Sequence, residues 1–275
     1  MKRIRLLELL LERFPEDGRK ALYSRVLCGE IAVNGATERD PKRLVNRDAD
    51  IEFHGSGYVG RGAHKLVAAI EAFELPCAGA IVLDAGSSTG GFSETLLRHG
   101  AARVYAVDVG TNQLAWKLRS DSRVVAMEER NISDVSKTEL DPVPDFAVCD
   151  LSFRSLSGIA LHIASLTRSR RVVALAKPQF ERAVSAKNAS YPGATVKADP
   201  HQGHFNSEAV APETGGEFSG VVDDAEGKAI IDSLTRRLAE EGLVCLGMCQ
   251  SPIRGRRGNR EYFLDLAIEV ARDDL

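Results

Sequence analysis

The sequence predicts an α/β protein whose main part is a parallel sheet covered by helices on both faces. Two observations carry this prediction: strand-like and helix-like segments alternate after about residue 80, and four apolar runs each end at a charged residue. A third observation adds a second part, because the first 58 residues show two helices and a hairpin instead. The length of 275 residues exceeds the common single-domain range of roughly 100–200 residues and leaves room for both parts.

The four apolar runs end where a ligand site is expected. They cover residues 80–83, 104–107, 146–149 and 172–176, and the charged residues that follow them are Asp84, Asp108, Asp150 and Lys177. In a parallel sheet the carboxyl ends of the strands meet at one edge, where α/β proteins bind ligands. We therefore expect these side chains to face one crevice. A helix over 226–238 and two antiparallel strands over 243–248 and 262–268 are expected to complete this part.

Residues 1–58 are predicted to form a small α+β domain. A helical stripe of leucines from Leu6 to Phe14 stops at Pro15, a second helix starts near Arg19, and Asn34-Gly35 marks a hairpin. Cations on the second helix and on the hairpin return are candidates for contacts with RNA phosphates; they are Arg19, Lys20, Arg25, Lys42 and Arg43. An ordinary solvated charged surface is the alternative interpretation.

The composition indicates an ordinary globular protein of the cytoplasm. The net charge of -3 excludes a basic surface over the whole protein, so a nucleic acid would have to bind a local patch. No apolar run approaches the ~18 residues of a membrane span, and we expect neither secretion nor membrane association. The five cysteines are scattered, which indicates reduced thiols rather than disulfides or a metal site.

One segment breaks the alternating pattern. Residues 183–217 contain no leucine, isoleucine or methionine and are rich in alanine, glycine, proline and serine. Such a stretch cannot bury enough apolar surface to offset the entropy lost on ordering. We predict a disordered insertion there.

A glycine-rich loop follows the first strand and precedes a helix. Its residues are Asp84, Gly86, Ser87, Ser88, Thr89, Gly90, Gly91 and Phe92. The dinucleotide fingerprint is not met, because Ser88 stands where the second glycine would be, and the lysine of a P-loop is missing. Asp108 ends the next strand, at the position where an acid binds the ribose hydroxyls of a nucleoside. A nucleoside cofactor without a pyrophosphate fits best, which points to S-adenosylmethionine.

Several motifs together resemble one family. They are Gly60-Arg61-Gly62-Ala63-His64-Lys65-Leu66, Ser88-Thr89-Gly90-Gly91-Phe92, Gln113-Leu114-Ala115-Trp116-Lys117-Leu118, Asp150-Leu151-Ser152-Phe153, Lys177-Pro178-Gln179-Phe180-Glu181 and Gly258-Asn259-Arg260-Glu261. On these motifs the chain resembles the TlyA family, the haemolysin-A-like ribosomal RNA 2′-O-ribose methyltransferases. In that family an S-four-type RNA-binding domain precedes an FtsJ-like methyltransferase domain.

The resemblance implies a Rossmann-like, S-adenosylmethionine-dependent methyltransferase domain over residues 59–275. It implies methyl transfer to a ribose 2′-hydroxyl, that of a cytidine by family resemblance, with ribosomal RNA or ribosomal subunits as partners. The working group would be a tetrad whose matching positions are Lys65, Asp150, Lys177 and Glu261. Asn131 completes the expected cofactor-binding residues, and Arg254, Arg256 and Arg257 form a second basic cluster close to Glu261.

The role of Lys177 has two interpretations. A free lysine, with a pKa near 10.4, is charged at neutral pH and cannot act as a base. Burial and the second cation, Lys65, would lower the pKa of Lys177, while Asp150 would oppose that shift. Lys177 is therefore either a base or a group that only orients the hydroxyl. Trp116 likewise has two interpretations, since it could stack on an RNA base or pack in the core.

Two other functions remain to be compared with RNA methylation. A haemolysin would need a secretion signal and a membrane-active segment, and the sequence shows neither. A non-catalytic, RNA-binding ribosome-assembly factor would be expected to lack at least one tetrad residue, and all four are present.

Overall fold

The computed structural model describes residues 3–28, 30–53, 58–152, 154–182, 221–255 and 257–269. The predicted insertion at 183–217 lies outside the described residues, as do Phe153 and Arg256.

The N-terminal part contains the two helices and the hairpin that the sequence predicts. Its elements are β1 (Arg3–Arg5), α1 (Leu6–Arg13), α2 (Arg19–Cys28), β2 (Ile31–Val33), β3 (Ala36–Glu38), β4 (Leu44–Asn46) and β5 (Ile51–Phe53). β2 lies between β3 and β5 in an antiparallel sheet, and β1 pairs with β4. Leu6, Leu10, Leu22 and Ile31 are fully buried in one small core, so the leucine stripe of α1 is its inner face.

The remainder of the chain forms a seven-stranded sheet. Its elements are α3 (Gly62–Ala72), β6 (Ile81–Ala85), α4 (Gly91–Arg98), β7 (Arg103–Val107), α5 (Trp116–Arg119), β8 (Val124–Met127), β9 (Phe146–Cys149), α6 (Ala160–Ser165), β10 (Arg171–Ala176), α7 (Asp224–Glu240), β11 (Leu243–Gln250) and β12 (Tyr262–Ile268). The strand order is β11-β12-β10-β9-β6-β7-β8. Strands β6 to β10 are parallel, and β12 is antiparallel to both of its neighbours.

Helices cover both faces of this sheet, as predicted. Alternate residues of one strand face opposite sides, so in β7 Val104 and Ala106 join one core and Tyr105 and Val107 the other. Helices α3 and α4 cover the first side, and α6 and α7 the second. The α/β fold class is therefore confirmed.

The strand order reverses between β6 and β9, which is where doubly wound sheets bind their ligands. β12 extends this site from the opposite direction, because it runs antiparallel to its neighbours. Its first residue, Tyr262, pairs with Ala176 at the end of β10. Glu261, which precedes Tyr262, is thereby brought to the carboxyl edge of the parallel strands.

The segment before α3 contacts α4, and α3 itself contacts the N-terminal part. Val59 N donates to Glu94 Oε2 over 2.5 Å, and the Arg98 guanidinium lies 4.0 Å from the centre of the Tyr58 ring. His64 on α3 lies 3.1 Å from Glu30 Oε1 of the N-terminal part.

Cys77 and Cys149 are buried thiols, and no group of three metal-ligating side chains occurs in the described ranges. No helix within those ranges combines the length and the apolar character needed to cross a bilayer.

Candidate active site

Lys177 and Asp150 form the open half of the tetrad. Lys177 follows β10 and Asp150 follows β9, and the lysine Nζ lies 2.5 Å from Asp150 Oδ1. The amine also donates to Leu151 O over 2.9 Å and to Ser152 Oγ over 3.3 Å. The Lys177 side chain is nearly buried, but the Asp150 side chain keeps 23% of its exposure. A substrate can therefore reach this pair.

Lys65 and Glu261 form the closed half. Lys65 lies on the buried face of α3, and its Nζ donates to Glu261 Oε2 over 2.6 Å. Both side chains are more than nine-tenths buried. The electrostatic attraction of Lys65 also acts on Asp150, and that of Glu261 acts on Lys177. The four predicted residues thus form one charged cluster.

The cluster keeps both members of the open pair ionised. Burial lowers the pKa of Lys177, but the attraction of Asp150 and Glu261 outweighs burial and holds that pKa above its ordinary value. For Asp150, burial raises the pKa, while Lys177 and Lys65 together hold it below its ordinary value. Of the two opposing effects expected at Lys177, the attraction of the carboxylates prevails over the lowering of the pKa by burial. The amine is therefore an ammonium at neutral pH.

The glycine-rich loop passes directly over the backbone of Asp150, just after β9. Gly86 has φ +87°, and a Cβ at this position would lie 2.6 Å from Asp150 O. Gly90 has φ +94° and caps α4, and a Cβ there would overlap the Leu118 side chain. Both positions exclude any larger residue. The N-cap residue Gly90 has no side chain to cap α4, and Asp84 already interacts with the backbone N–H of Ser93. The N–H groups of Gly91 and Phe92 are therefore the ones available to an anionic group such as a carboxylate.

Asp108 lies beside this loop, as predicted. Its Oδ2 accepts from Ser88 N over 2.8 Å and its Oδ1 accepts from Gly110 N over 2.7 Å. Each oxygen keeps a second lone pair for a ribose hydroxyl. Asn131 lies at the same edge, because Arg130 N donates to Asp108 O. Its Oδ1 accepts from Ser133 N and Ser133 Oγ, so only the amide nitrogen of Asn131 is left for a cofactor.

Two predicted cofactor residues lie beneath the loop rather than on it. Phe92 is a core side chain that packs against Phe263, with ring centres 5.9 Å apart, so it offers only its backbone N–H. Asp84 is fully buried, and its Oδ2 accepts from Ser93 Oγ over 2.6 Å. Burial raises the pKa of Asp84 to about 7.

The loop fits S-adenosylmethionine. Asp84 Oδ1 and Ser87 Oγ are buried without a hydrogen-bond partner within the described ranges, a state that a bound polar ligand would relieve. An acid for ribose hydroxyls, a helix start for a carboxylate and a buried acid for an ammonium together match the polar groups of this cofactor. Thr89, Gly90 and Gly91 form the part of the loop whose backbone would lie close to the cofactor.

The residues predicted to bind RNA are partly paired with acids. Arg25 lies 3.7 Å from Glu30, Arg43 hydrogen-bonds Glu38, and Arg254 lies 3.2 Å from Asp224. Arg19, Lys42 and Arg257 are exposed. The side chains of Lys20 and Arg256 lie outside the described residues. The two basic clusters therefore alternate with carboxylates.

Two residues near the site are not identified by the charge pattern of the sequence. Arg61 lowers the pKa of Asp150, after the larger effects of Lys177 and Lys65. Glu94 is buried in α4 and holds Val59 N, Arg98 and Lys117. Glu94 looks like an ordinary surface residue of an amphipathic helix, so no sequence signal distinguishes it. Arg61 lies within the Gly60–Leu66 motif, so the sequence signal that identifies Lys65 also contains Arg61.

Comparison with known proteins agrees with this geometry. The model of the family described as FtsJ-like methyltransferase matches residues 58–267. The 16S/23S rRNA (cytidine-2′-O)-methyltransferase TlyA of Mycobacterium tuberculosis is 35% identical over 276 residues, which cover 98% of this chain and 92% of that protein. Hemolysin A of Brachyspira hyodysenteriae is 32% identical over 255 residues, covering 92% of this chain and 95% of that protein.

A solved structure shows the same architecture. A Streptococcus thermophilus protein assigned as a hemolysin superposes with a TM-score of 0.65 at 30% identity, covering 98% of this chain and 90% of that one. The match extends over nearly the whole chain and therefore includes the N-terminal part. The chain belongs to the TlyA family of FtsJ-like methyltransferases, and its cofactor is S-adenosylmethionine.

Proposed function

We propose that this protein methylates a ribose 2′-hydroxyl of ribosomal RNA, on a cytidine, in the cytoplasm. The observation that carries the proposal is the ion-paired cluster of Lys65, Asp150, Lys177 and Glu261 at the carboxyl edge of the sheet, in backbone contact with the cofactor loop. The names of curated relatives support ribosomal RNA and cytidine as the substrate. The substrate is either free ribosomal RNA or the RNA within an assembled subunit, and the experiment below distinguishes the two.

The sulfonium of the cofactor supplies an electrophilic methyl group, and the residues of the chain must align the attacking oxygen. An in-line approach requires that one lone pair of the ribose oxygen points along the bond that breaks. As the oxygen–methyl bond forms and the sulfur–methyl bond breaks, the hydroxyl proton passes to solvent water at the exposed side of Asp150. Lys177, as an ammonium, donates a hydrogen bond to the attacking oxygen and stabilises the negative charge that develops on it. Asp150 holds the amine in place through their ion pair. The buried pair adds charges that keep both groups ionised, since Glu261 attracts Lys177 and Lys65 attracts Asp150. Lys177 accordingly orients the hydroxyl and does not serve as the base.

The proposal is tested with S-adenosylmethionine labelled in the methyl group and with 16S and 23S ribosomal RNA, each free and in its subunit. Ribose methylation blocks alkaline cleavage of the adjacent phosphodiester, so the product is expected as an alkali-resistant dinucleotide containing cytidine. Lys177→Ala is the matched control, because it leaves the cofactor loop and Asp108 unchanged. Label on a base, or equal labelling by the variant, would contradict the proposal.

The name of the Brachyspira relative keeps haemolysis as a second function to be tested. Lysis of erythrocytes by the wild type and by Lys177→Ala separates the two functions. Equal lysis by both would assign haemolysis to a part of the molecule outside the tetrad. A non-catalytic assembly role predicts no methylation by either protein.

A further inference from the structure

Trp116 is the single tryptophan of the chain and is 77% exposed. Val109, in the same connection between β7 and α5, is 69% exposed. Tryptophan is usually well buried in folded proteins, and adjacent exposed apolar side chains mark contact surfaces. The interpretation of Trp116 as a core residue is therefore wrong.

The chain neighbours of Trp116 contact both the cofactor loop and the helix that holds residue 59. Ala115 N donates to Thr89 O over 3.2 Å, so Trp116 directly follows a residue that is bonded to the loop. A Cβ at Gly60 would lie 2.9 Å from Thr89 Oγ1, which places the connecting segment against the same loop residue. Lys117 Nζ lies 2.7 Å from Glu94, whose other oxygen holds Val59 N.

Two cations share the short helix α5 with Trp116, and a third is paired with the same glutamate as one of them. The side chains of Lys117, Arg98 and Arg119 are partly exposed, and each is paired with a glutamate. Exposed aromatic rings among cations are typical of surfaces that bind single-stranded nucleic acid, where bases stack on the rings and phosphates meet the cations. The contacts that link residues 59–60 to the start of α5 extend this surface beyond the cofactor loop, which fits a strand of RNA better than a small ligand.

The position of Trp116 relative to the tetrad identifies which base it contacts. α5 follows β7, and β7 lies three strands from β10, which carries Lys177. Three strand spacings amount to ~14 Å. A base at Trp116 therefore belongs to a nucleotide that flanks the target and not to the target itself.

We propose that Trp116 stacks on an unpaired base that flanks the target nucleotide of the substrate RNA. This inference rests on the proposed function for the identity of the RNA. Stacking on the side chain holds the strand in an unpaired form and thereby presents the target ribose to Lys177. Because every base has a π-face, the contact tolerates different sequences.

The test compares Trp116→Leu, which keeps apolar bulk without a ring, with Trp116→Phe, which keeps a ring. Binding to 16S and 23S ribosomal RNA is measured over a range of salt concentrations. We expect the leucine variant to lose affinity about 5- to 100-fold, as for one stacked base, and the phenylalanine variant to retain most of it. The slope of affinity against salt should not change, because no phosphate contact is removed. Affinity for S-adenosylmethionine should also be unchanged.

Fluorescence gives a direct readout, because Trp116 is the sole tryptophan. Ribosomal RNA should quench the emission of the wild type. Absence of quenching, or equal RNA affinity of the leucine variant and the wild type, would overturn the assignment. A loss of cofactor affinity without a loss of RNA affinity would place Trp116 at the cofactor and would also overturn it. If the wild type binds RNA but transfers no methyl group, the proposed function fails, and the binding data still decide the role of Trp116.

Discussion

The catalytic edge and the N-terminal part both contain cations paired with carboxylates, but the pairs differ in their solvent exposure. Lys65 and Glu261 are almost fully buried, whereas Arg47 and Glu12 are about half exposed. A buried pair that loses one partner leaves an uncompensated charge in a poor solvent, while an exposed pair contributes ~0–1 kcal/mol. The buried pairs are therefore fixed parts of the active site, and the exposed arginines are free to exchange a carboxylate for an RNA phosphate.

Lys177→Ala is expected to have the largest effect. Methyl transfer should fall by about 10²- to 10⁴-fold, the range for loss of a group that handles a proton or its charge. RNA and cofactor affinities should stay at the wild-type level, since neither surface is changed. Single-turnover transfer with labelled cofactor measures the rate, and a variant as fast as the wild type would remove Lys177 from the active site.

The pH dependence of the wild-type rate sharpens the assignment of Lys177. Its pKa is held above the ordinary value, because Asp150 and Glu261 outweigh burial. The ammonium should therefore persist throughout pH 6–9, and the single-turnover rate should show no rise that depends on Lys177 in that range. A rise that disappears in Lys177→Arg, which stays charged, would instead identify the amine as a base.

Glu261→Gln tests the buried pair directly. It leaves the Lys65 ammonium without its carboxylate, and we expect the free energy of unfolding to fall by ~3–5 kcal/mol. Glu12→Gln, which breaks the exposed pair with Arg47, is the matched control and should cost at most ~1 kcal/mol. Urea unfolding measures both. Equal losses would abolish the distinction between the two regions.

Asp84→Asn should change how stability depends on pH. The pKa of Asp84 is raised to about 7, so between about pH 4 and 7 the folded protein binds a proton that the unfolded chain has released. Stability without cofactor therefore falls as the pH rises through this window. The variant should remove that decline and be more stable at pH 8 by up to ~4 kcal/mol. Asp48→Asn, at an exposed position, is the control; an unchanged decline in Asp84→Asn would contradict the assignment.

The smallest effects are expected at single surface cations. Lys42→Gln should weaken RNA binding severalfold and reduce the salt slope by about one unit, as for one phosphate contact. Arg43→Gln should do less, because Arg43 must give up Glu38 before it meets a phosphate. Salt titrations of RNA binding compare the two. A larger effect at Arg43 would mean that the pairs seen here do not limit RNA contact.

The sequence predicts the strand ends well, because an apolar run of four or five residues followed by an ionisable residue is a local signal. Asp108, Asp150 and Lys177 lie where that signal places them. Lys65 and Glu261 are 196 residues apart, so only family resemblance could join them. The charge state of Lys177 depends on burial against the attraction of Asp150, and this balance requires coordinates.

Other features escape sequence interpretation because the pattern is too short or ambiguous. β1 and β4 have three residues each, and so short a strand carries no recognisable period. Phe92 belongs to the glycine-rich motif, yet its side chain points into the core. Trp116 is a residue type usually found in the core, yet its side chain is exposed to solvent. Only the packing around α5 reveals this.

The late position of β12 in the chain also determines when the tetrad can be completed during synthesis. Glu261 reaches Lys65 only after the chain has returned against the direction of the sheet, nearly 200 residues downstream. At ~5–20 residues per second of synthesis, a nascent chain would carry Lys65 without its partner for roughly 10–40 seconds. If the tetrad carries the proposed methyl transfer, an unfinished copy that still lacks Glu261 should be unable to modify the RNA of the ribosome that is making it.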